Sequence, residues 1–516
     1  MRFCNGFNLH SFIWTIIIGA FLVAVAVTDR YFALSGDSYL YRYSGFILIV
    51  MLLLLNIKSF KRFSPCFNIA LQDLLLIVYI TYSVLLSYFS GTISYIQWCK
   101  WVAAISIYLI GRRFADSSNV VVLPLVAVAL LQAVMILLQK LLVINSMSYY
   151  FDVSGTFGNP APPAAIIAVV SAMVVGILVD IGNEEKMKKY ILISILVLFI
   201  LALLMTASRA SIFALSISAL LMLLSKKRLP IVFLIAGLVC IPVFLLFLYS
   251  LRSGSADARL LIWRASLYVF DDNPLFGSGV GSFAQKYMLA QAEFFANHPG
   301  SSLSIIATNH SQAYNEFIHL VCEEGIMGAI LFSAFAYRVL SAKTVFQPAL
   351  IAGVLVSLFL YSADMYLLFL ILWFLAGASA TSSCKIRGPY SLSIFALALL
   401  LLVFSPDAKD ADFPTYDSVC KEARIMWKDG DYEGALQKLH TAYYMIPSRI
   451  SAPYLVFEIY KERKDTLRAV EIGNYILKEQ KIRDAGNATL QMKAEIRNWL
   501  QGQSQYYSPK YSFFNQ

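Results

Sequence analysis

The chain has 516 residues, 59% of them hydrophobic and 14% charged, where soluble domains carry about a quarter charged residues; its mean hydropathy is +0.68. These figures exclude a soluble enzyme. The net charge of +10 does not call for nucleic acid as a partner, because the basic residues lie in short clusters between apolar runs, where they set membrane topology.

Apolar runs near the length needed to cross a bilayer as a helix recur at 11–28, 43–57, 69–89, 95–111, 120–143, 161–181, 190–206, 210–224, 230–250, 316–337, 347–363, 365–381 and 390–405. This predicts an all-α, polytopic bundle of 12 to 13 spans over residues 1–405, with a soluble all-helical domain over 406–516. The first run follows Arg2 and ends near Ala24-Val25-Ala26, a passable leader cleavage site; its length favours an uncleaved span. The seven cysteines (Cys4, Cys66, Cys99, Cys240, Cys322, Cys384 and Cys420) form no metal-ligand spacing.

Every second connection is basic: Lys58, Lys61 and Arg62; Arg112 and Arg113; Lys186, Lys188 and Lys189; Lys226, Lys227 and Arg228; Arg338 and Lys343; Lys385 and Arg387. Those connections, and the N-terminus, are expected on the cytoplasmic side. The others, 29–42, 90–94, 144–160, 207–209, the long 251–315 and the tail after 405, then face outward, into the periplasm of a Gram-negative cell. Lys100 and Lys140 lie within spans as exceptions, read as snorkelling or bundle-facing; apart from these two, Asp73 and Asp364, the spans are nearly charge-free.

The unusual residues fall on the outer side. The turn Thr206-Ala207-Ser208-Arg209-Ala210 puts one guanidinium at the membrane surface, either as an interfacial anchor or as an anion ligand. A guanidinium suits a diphosphate, since its planar fork makes two parallel charge-assisted hydrogen bonds and stays protonated. In the long loop, Arg259, Ile262, Trp263 and Ser266 recur at helical spacing, with Arg264 between them, before Pro274-Leu275-Phe276-Gly277-Ser278-Gly279-Val280-Gly281 breaks the pattern. No strand precedes these glycines, so a nucleotide-binding reading fails and a tight surface loop is expected. His310, Tyr314 and Asn315 crowd the mouth of the next span. His310 and Tyr314 share a face if the helix already runs that far, and His310 is either structural or a base.

In the tail, Trp427, Gly430-Asp431-Tyr432, Ala435-Leu436, Ala442 and Pro447 resemble one tetratricopeptide repeat, and Lys464-Asp465 and Ala469-Val470 repeat part of it 34 residues on. Two helical hairpins and a capping helix near 484–501 are expected, either as a protein-binding surface or as a structural cap. Asn487-Ala488-Thr489 fits a glycosylation sequon, a pattern short enough to arise by chance.

Three outward motifs in fixed order, Ser208-Arg209, Arg259 to Gly281, and Asn315 to Gly328, preceded by Gly155-Thr156-Phe157-Gly158-Asn159-Pro160, make the chain resemble the O-antigen ligase and polymerase superfamily, which includes protein O-oligosaccharyltransferases. The resemblance covers roughly residues 150 to 340. It implies a GT-C-like membrane enzyme of the bacterial inner membrane that takes a glycan from undecaprenyl diphosphate, without metal or cofactor, and joins it with inversion to lipid A core, another glycan or a protein hydroxyl. Arg209 and Arg259 would hold the diphosphate, with Arg264, Asn159, Tyr314 and Asn315 as further substrate contacts. Ligases carry a histidine eleven positions before the Gly-x-x-Gly of Gly325 and Gly328, and here that position is Tyr314. His310, about one helical turn earlier, is the candidate replacement base, with Glu316, or no side-chain base at all, as the alternatives. A polysaccharide flippase or transporter is the competing class, but its expected in-span charges and related halves are not evident. A non-catalytic scaffold that recruits assembly partners through the tail is a third reading.

Overall fold

A computed structural model describes residues 9–35, 39–61, 66–92, 95–148, 151–182, 185–225, 253–298, 301–307, 310–380, 384–387, 416–445, 449–478 and 487–503. The expected spans at 230–250 and 390–405 lie outside these residues. The chain divides into two compact units, one of Met1–Leu251, Tyr314–Leu320 and Ile326–Ala411, the other of Arg252–Ala313, Val321–Gly325 and Asp412–Gln516.

The first unit is the expected all-α bundle. Its helices are α1 (Leu9–Ser35), α2 (Tyr39–Lys61), α3 (Leu71–Phe89), α4 (Tyr95–Arg113), α5 (Ser118–Lys140), α6 (Ala161–Asp180), α7 (Lys186–Thr206) and α8 (Arg209–Ser225). Among the described residues six helices are long and apolar enough to cross a membrane: Leu9–Thr28, Leu71–Phe89, Ser118–Lys140, Ala161–Asp180, Lys186–Thr206 and Glu316–Leu340. Helix α6 is apolar on every side, and an all-round apolar helix belongs in a core. It is buried along nearly its whole length and packs against α5, α7, α8 and a later helix at Gln347–Ser357. Helix α7, equally apolar, leaves most of one side exposed, which suits a lipid-facing position.

Two expected spans are altered. The runs 347–363 and 365–381 form helices only at Gln347–Ser357 and Tyr366–Ala378. At about 1.5 Å per residue neither reaches the roughly 30 Å hydrocarbon thickness. Between them the backbone turns at 358–365, where Ser362 bonds Ser357 (Oγ to Oγ, 2.6 Å) and Asp364 pairs with Lys100. Irregular backbone is tolerated in a membrane protein where protein groups satisfy it.

Contacts sort the connections into two ends. Strand β1 (Cys66–Ile69) pairs antiparallel with β2 (Cys384–Arg387), joining two segments with basic flanks. Beside them Arg112 Nε donates to Asp73 (3.2 Å), Tyr108 OH donates to Asp73 Oδ1 (2.6 Å), and Gln72 Nε2 donates to the Ala376 carbonyl (3.1 Å). Helix α4 and the Tyr366–Ala378 helix touch there through Gly111 and Gly377, since a Cβ on Gly111 would strike the Phe374 carbonyl and one on Gly377 the Tyr108 carbonyl. At the opposite end lie Lys100, Asp364, Tyr314, Tyr361 and Glu316.

The second unit contains α9 (Ser253–Asp272), α10 (Phe283–Asn297), a short 3-10 turn at Ser302–Ile305, and the tail. The tail folds as two helix pairs, α14 (Tyr416–Lys428) with α15 (Tyr432–Met445) and α16 (Ser451–Glu462) with α17 (Thr466–Lys478), followed by α18 (Asn487–Gln501), around a core that includes Ala435, Leu439, Phe457, Ile472 and Ile496; α11 to α13 are Glu316–Leu340, Gln347–Ser357 and Tyr366–Ala378. The 34-residue repeat persists in the backbone. Gly430 and Lys464 both adopt left-handed conformations (φ +87° and +58°). The Asp431 and Asp465 amides then donate to the Met426 and Tyr460 carbonyls, at 2.9 and 3.0 Å. Each aspartate also caps the next helix, accepting from the amides of Gly434 and Arg468.

Candidate functional site

Arg209 opens α8 directly after a left-handed turn. Ala207 (φ +50°) ends α7, Ser208 donates its hydroxyl to Ser211 (2.9 Å), and the Ser208 carbonyl accepts from Ile212. A cation in the first turn opposes the helix dipole and costs a few tenths of a kcal/mol or more. Helix stability therefore does not explain Arg209, whereas the combined positive charge of guanidinium and helix N-terminus favours an anion. One turn on, Phe213 packs edge-on against Phe359 (5.7 Å between centroids), which sets this end of α8 beside the 358–365 turn.

Asn159 lies in a loop stapled by two glutamines of α5, seven residues apart and so on one face. Gln139 Oε1 accepts from the Ser154 and Gly155 amides (2.8 and 2.9 Å), and its Nε2 donates to the Gly155 carbonyl (2.7 Å). Gln132 Oε1 accepts from the Thr156 amide (3.1 Å), and Thr156 Oγ1 donates to the Ala26 carbonyl (2.7 Å). Asn159 Oδ1 itself accepts from the Ala161 amide (2.9 Å) at the start of α6, so part of its hydrogen-bonding capacity is structural.

In the second unit α9 buries Leu261, Ile262, Ala265, Ser266 and Val269. Arg259 is half-buried and Arg264 exposed; five helical positions turn them about 140° apart, so they do not share a face. Trp263 Nε1 donates to the Ala313 carbonyl (3.0 Å), tying the segment after His310 to this helix.

The glycine run docks into a break in the span it precedes. Helix α11 is interrupted at Gly325 (φ 65°, ψ −170°), which frees carbonyls of the preceding turn. The Ser278 amide donates to the Cys322 carbonyl (3.1 Å) and the Gly279 amide to the Glu323 carbonyl (2.8 Å). Buried Glu323 accepts from the Phe283 amide through Oε1 (3.0 Å), at the start of α10. These amides have partners within the protein, so the loop is a joint and not a phosphate cradle. Sequence reasoning expected the turn and missed what it docks to.

His310 does not share a helix face with Tyr314. Residues 310–315 are non-helical and α11 begins at Glu316, because Asn315 is its N-cap: Asn315 Oδ1 accepts from the Phe317 and Ile318 amides (3.0 and 3.1 Å). Tyr314 takes a left-handed backbone (φ +52°) just before the cap and packs edge-on against Tyr361 (5.3 Å). His310 instead lies edge-on to Tyr287 (6.2 Å), whose ring is fully buried, stacks on Phe283 and accepts from Gln291 Nε2 at its hydroxyl (2.9 Å). Partial burial holds the His310 imidazole below its ordinary pKa, which leaves it neutral and able to accept a proton near pH 7.

Within the first unit the structure thus brings together Tyr314, Asn315 and the 358–365 turn, which α8 meets through Phe213. Arg259, Arg264 and His310 belong to the second unit. Sequence reasoning missed Gln132 and Gln139, although polar residues seven apart in an apolar run were the available signal. Among the described residues no three His, Cys, Asp or Glu side chains gather as a metal site.

Residues 194–333 match the family model described as O-Antigen ligase. The match spans Arg209, Arg259, Arg264, His310, Tyr314 and Asn315 and stops short of Asn159 on the N-terminal side. No curated protein matches the chain. The chain is a multi-pass membrane protein that carries, at residues 194–333, a segment similar to the O-antigen ligase family.

Proposed function

We propose that the protein transfers a glycan from undecaprenyl diphosphate to an acceptor hydroxyl on the periplasmic face of the bacterial inner membrane. The observation that carries this reading is the presence, inside the family segment, of Arg209 and Arg259, both in connections that the charge pattern assigns to the outer side. Arg209 adds its charge to a helix N-terminus, where a cation opposes the helix dipole.

The chemistry needs little beyond charge and a base. The bond between the anomeric carbon and the diphosphate oxygen breaks, and its electron pair leaves with the diphosphate. The arginines stabilise that growing charge, so the reaction proceeds without a metal or cofactor. The acceptor oxygen bonds the anomeric carbon from the opposite face, inverting it, and its proton passes to the neutral imidazole of His310. Arg264, Asn159, Tyr314 and Asn315 line the substrates; for Asn159 and Asn315 the hydrogen bonds to helix starts leave only their remaining donors and acceptors for sugar.

Lipid A core sugar is the first-choice acceptor. Tyr314, at the position where ligases carry histidine, supports a second reading as a repeat polymerase or a protein O-oligosaccharyltransferase. The tail, as a tetratricopeptide-like stack, would offer a surface to a protein acceptor or assembly partner. Deleting the gene and running surface glycans and glycoproteins on gels separates these. Loss of capped lipopolysaccharide identifies a core ligase, single-repeat products a polymerase, and loss of glycoprotein signal a protein transferase. Unchanged glycans in all three would contradict transfer.

A further inference from the structure

Outside the family segment, three elements of the first unit converge on one ion pair. Lys100 of α4 bonds Asp364 through Nζ and Oδ1, and its ammonium lies over the Tyr41 ring of α2 (5.3 Å to the centroid). Tyr41 meets Tyr366 edge-on (4.6 Å), and Tyr366 shares a hydrogen bond with Ser44. The Lys100 and Asp364 side chains are only 14% and 31% exposed.

Such a pair is a poor stabiliser. The cost of removing two charges from water offsets most of their attraction, and apolar replacements of similar volume are often neutral or better. Its effect is geometric. Asp364 ends the 358–365 turn, whose Ala363 amide donates to Glu316 Oε1 (2.8 Å) in the first turn of α11, and whose Tyr361 seats Tyr314. The turn also carries Phe359, the partner of Phe213 on α8. One ion pair thus anchors a turn that touches the start of α11 and the helix that begins with Arg209.

We propose that Lys100 and Asp364 are positioning residues for the transfer reaction, fixing the 358–365 turn and through it Tyr314, Glu316 and the outer end of α8. The role in transfer rests on the function proposed above; the clamping of the turn does not. Neither residue touches the reacting atoms in this account. A misplacement of about 1 Å by a distant substitution lowers turnover by about 10²-fold, and that is the expected loss.

The test uses the full chain in lipid nanodiscs. Lys100→Met and Asp364→Asn are expected to lower kcat by about 10²-fold while the donor KM stays within about twofold. Lys100→Arg, which keeps the pair, is expected to retain most of the activity. In parallel, amide hydrogen exchange over 358–365 and 314–320 is expected to speed up in the two pair-breaking variants and not in Lys100→Arg. Exchange unchanged from wild type overturns the clamp. A loss confined to donor KM overturns positioning and makes Lys100 a donor ligand. If the wild-type protein transfers no glycan, the functional reading fails while the exchange data still decide the clamp. Should Lys100→Met not accumulate, Asp364→Asn and Lys100→Arg carry the same comparison.

Discussion

Gly325→Val is expected to abolish assembly of the joint between the glycine loop and the broken helix. Gly325 sits at φ 65° and ψ −170°, a region open almost only to glycine and costing another residue up to about 3 kcal/mol. A Cβ there would also strike the Leu275 carbonyl, just as one on Gly277 would strike the Glu323 carbonyl. A valine chain escapes by continuing the helix, and the Cys322 and Glu323 carbonyls then bond amides four residues on. The Ser278 and Gly279 amides lose their partners, at about 1 kcal/mol or more each. Limited proteolysis should show new cleavage within 273–282 and a lower thermal midpoint. Gly158→Ala, where an added Cβ meets nothing within 4 Å, is expected to leave both unchanged. Wild-type protection in Gly325→Val would mean that the loop is held elsewhere.

His310→Ala is expected to lower turnover by about 10²–10⁴-fold, the usual contribution of a positioned base. The pH profile carries the sharper expectation. Burial moves the His310 pKa below the ordinary value of about 6.5. Turnover should then be flat through neutral pH and fall on the acid side only once pH drops through that lowered value, where the imidazole protonates and can no longer accept a proton. Stability follows the same sign. The unfolded chain protonates first, so folding loses free energy as pH falls below the unfolded pKa. In His310→Ala the acid limb should disappear. If His310→Ala keeps wild-type turnover while Tyr314→Phe does not, the base has been misassigned.

What the sequence disclosed follows physical range. Hydropathy is summed over many residues, and it predicted the all-α membrane bundle to which the six long apolar helices among the described residues belong. The 34-residue offset in the tail reappeared as two left-handed residues at Gly430 and Lys464, because a local repeat dictates a local backbone. The candidate site was legible only as residue types. That Asn315 caps α11, that Tyr314 turns left-handed before it, and that Gly277 faces Gly325 depend on one break in one helix. Nothing in a periodic pattern announces that break. Lys100 and Asp364 were visible as misplaced charges, but 264 positions separate them, and only folding shows that they are one feature.

The central claim is that a diphosphate is the leaving group and that Arg209 and Arg259 hold it. The direct measurement is release of undecaprenyl diphosphate from a lipid-linked glycan donor by the purified protein in nanodiscs, with an acceptor present. The account predicts release by wild type and a fall of about 10²–10³-fold in each of Arg209→Ala and Arg259→Ala, with expression and thermal midpoint unchanged. Wild-type release rates in either variant would contradict it.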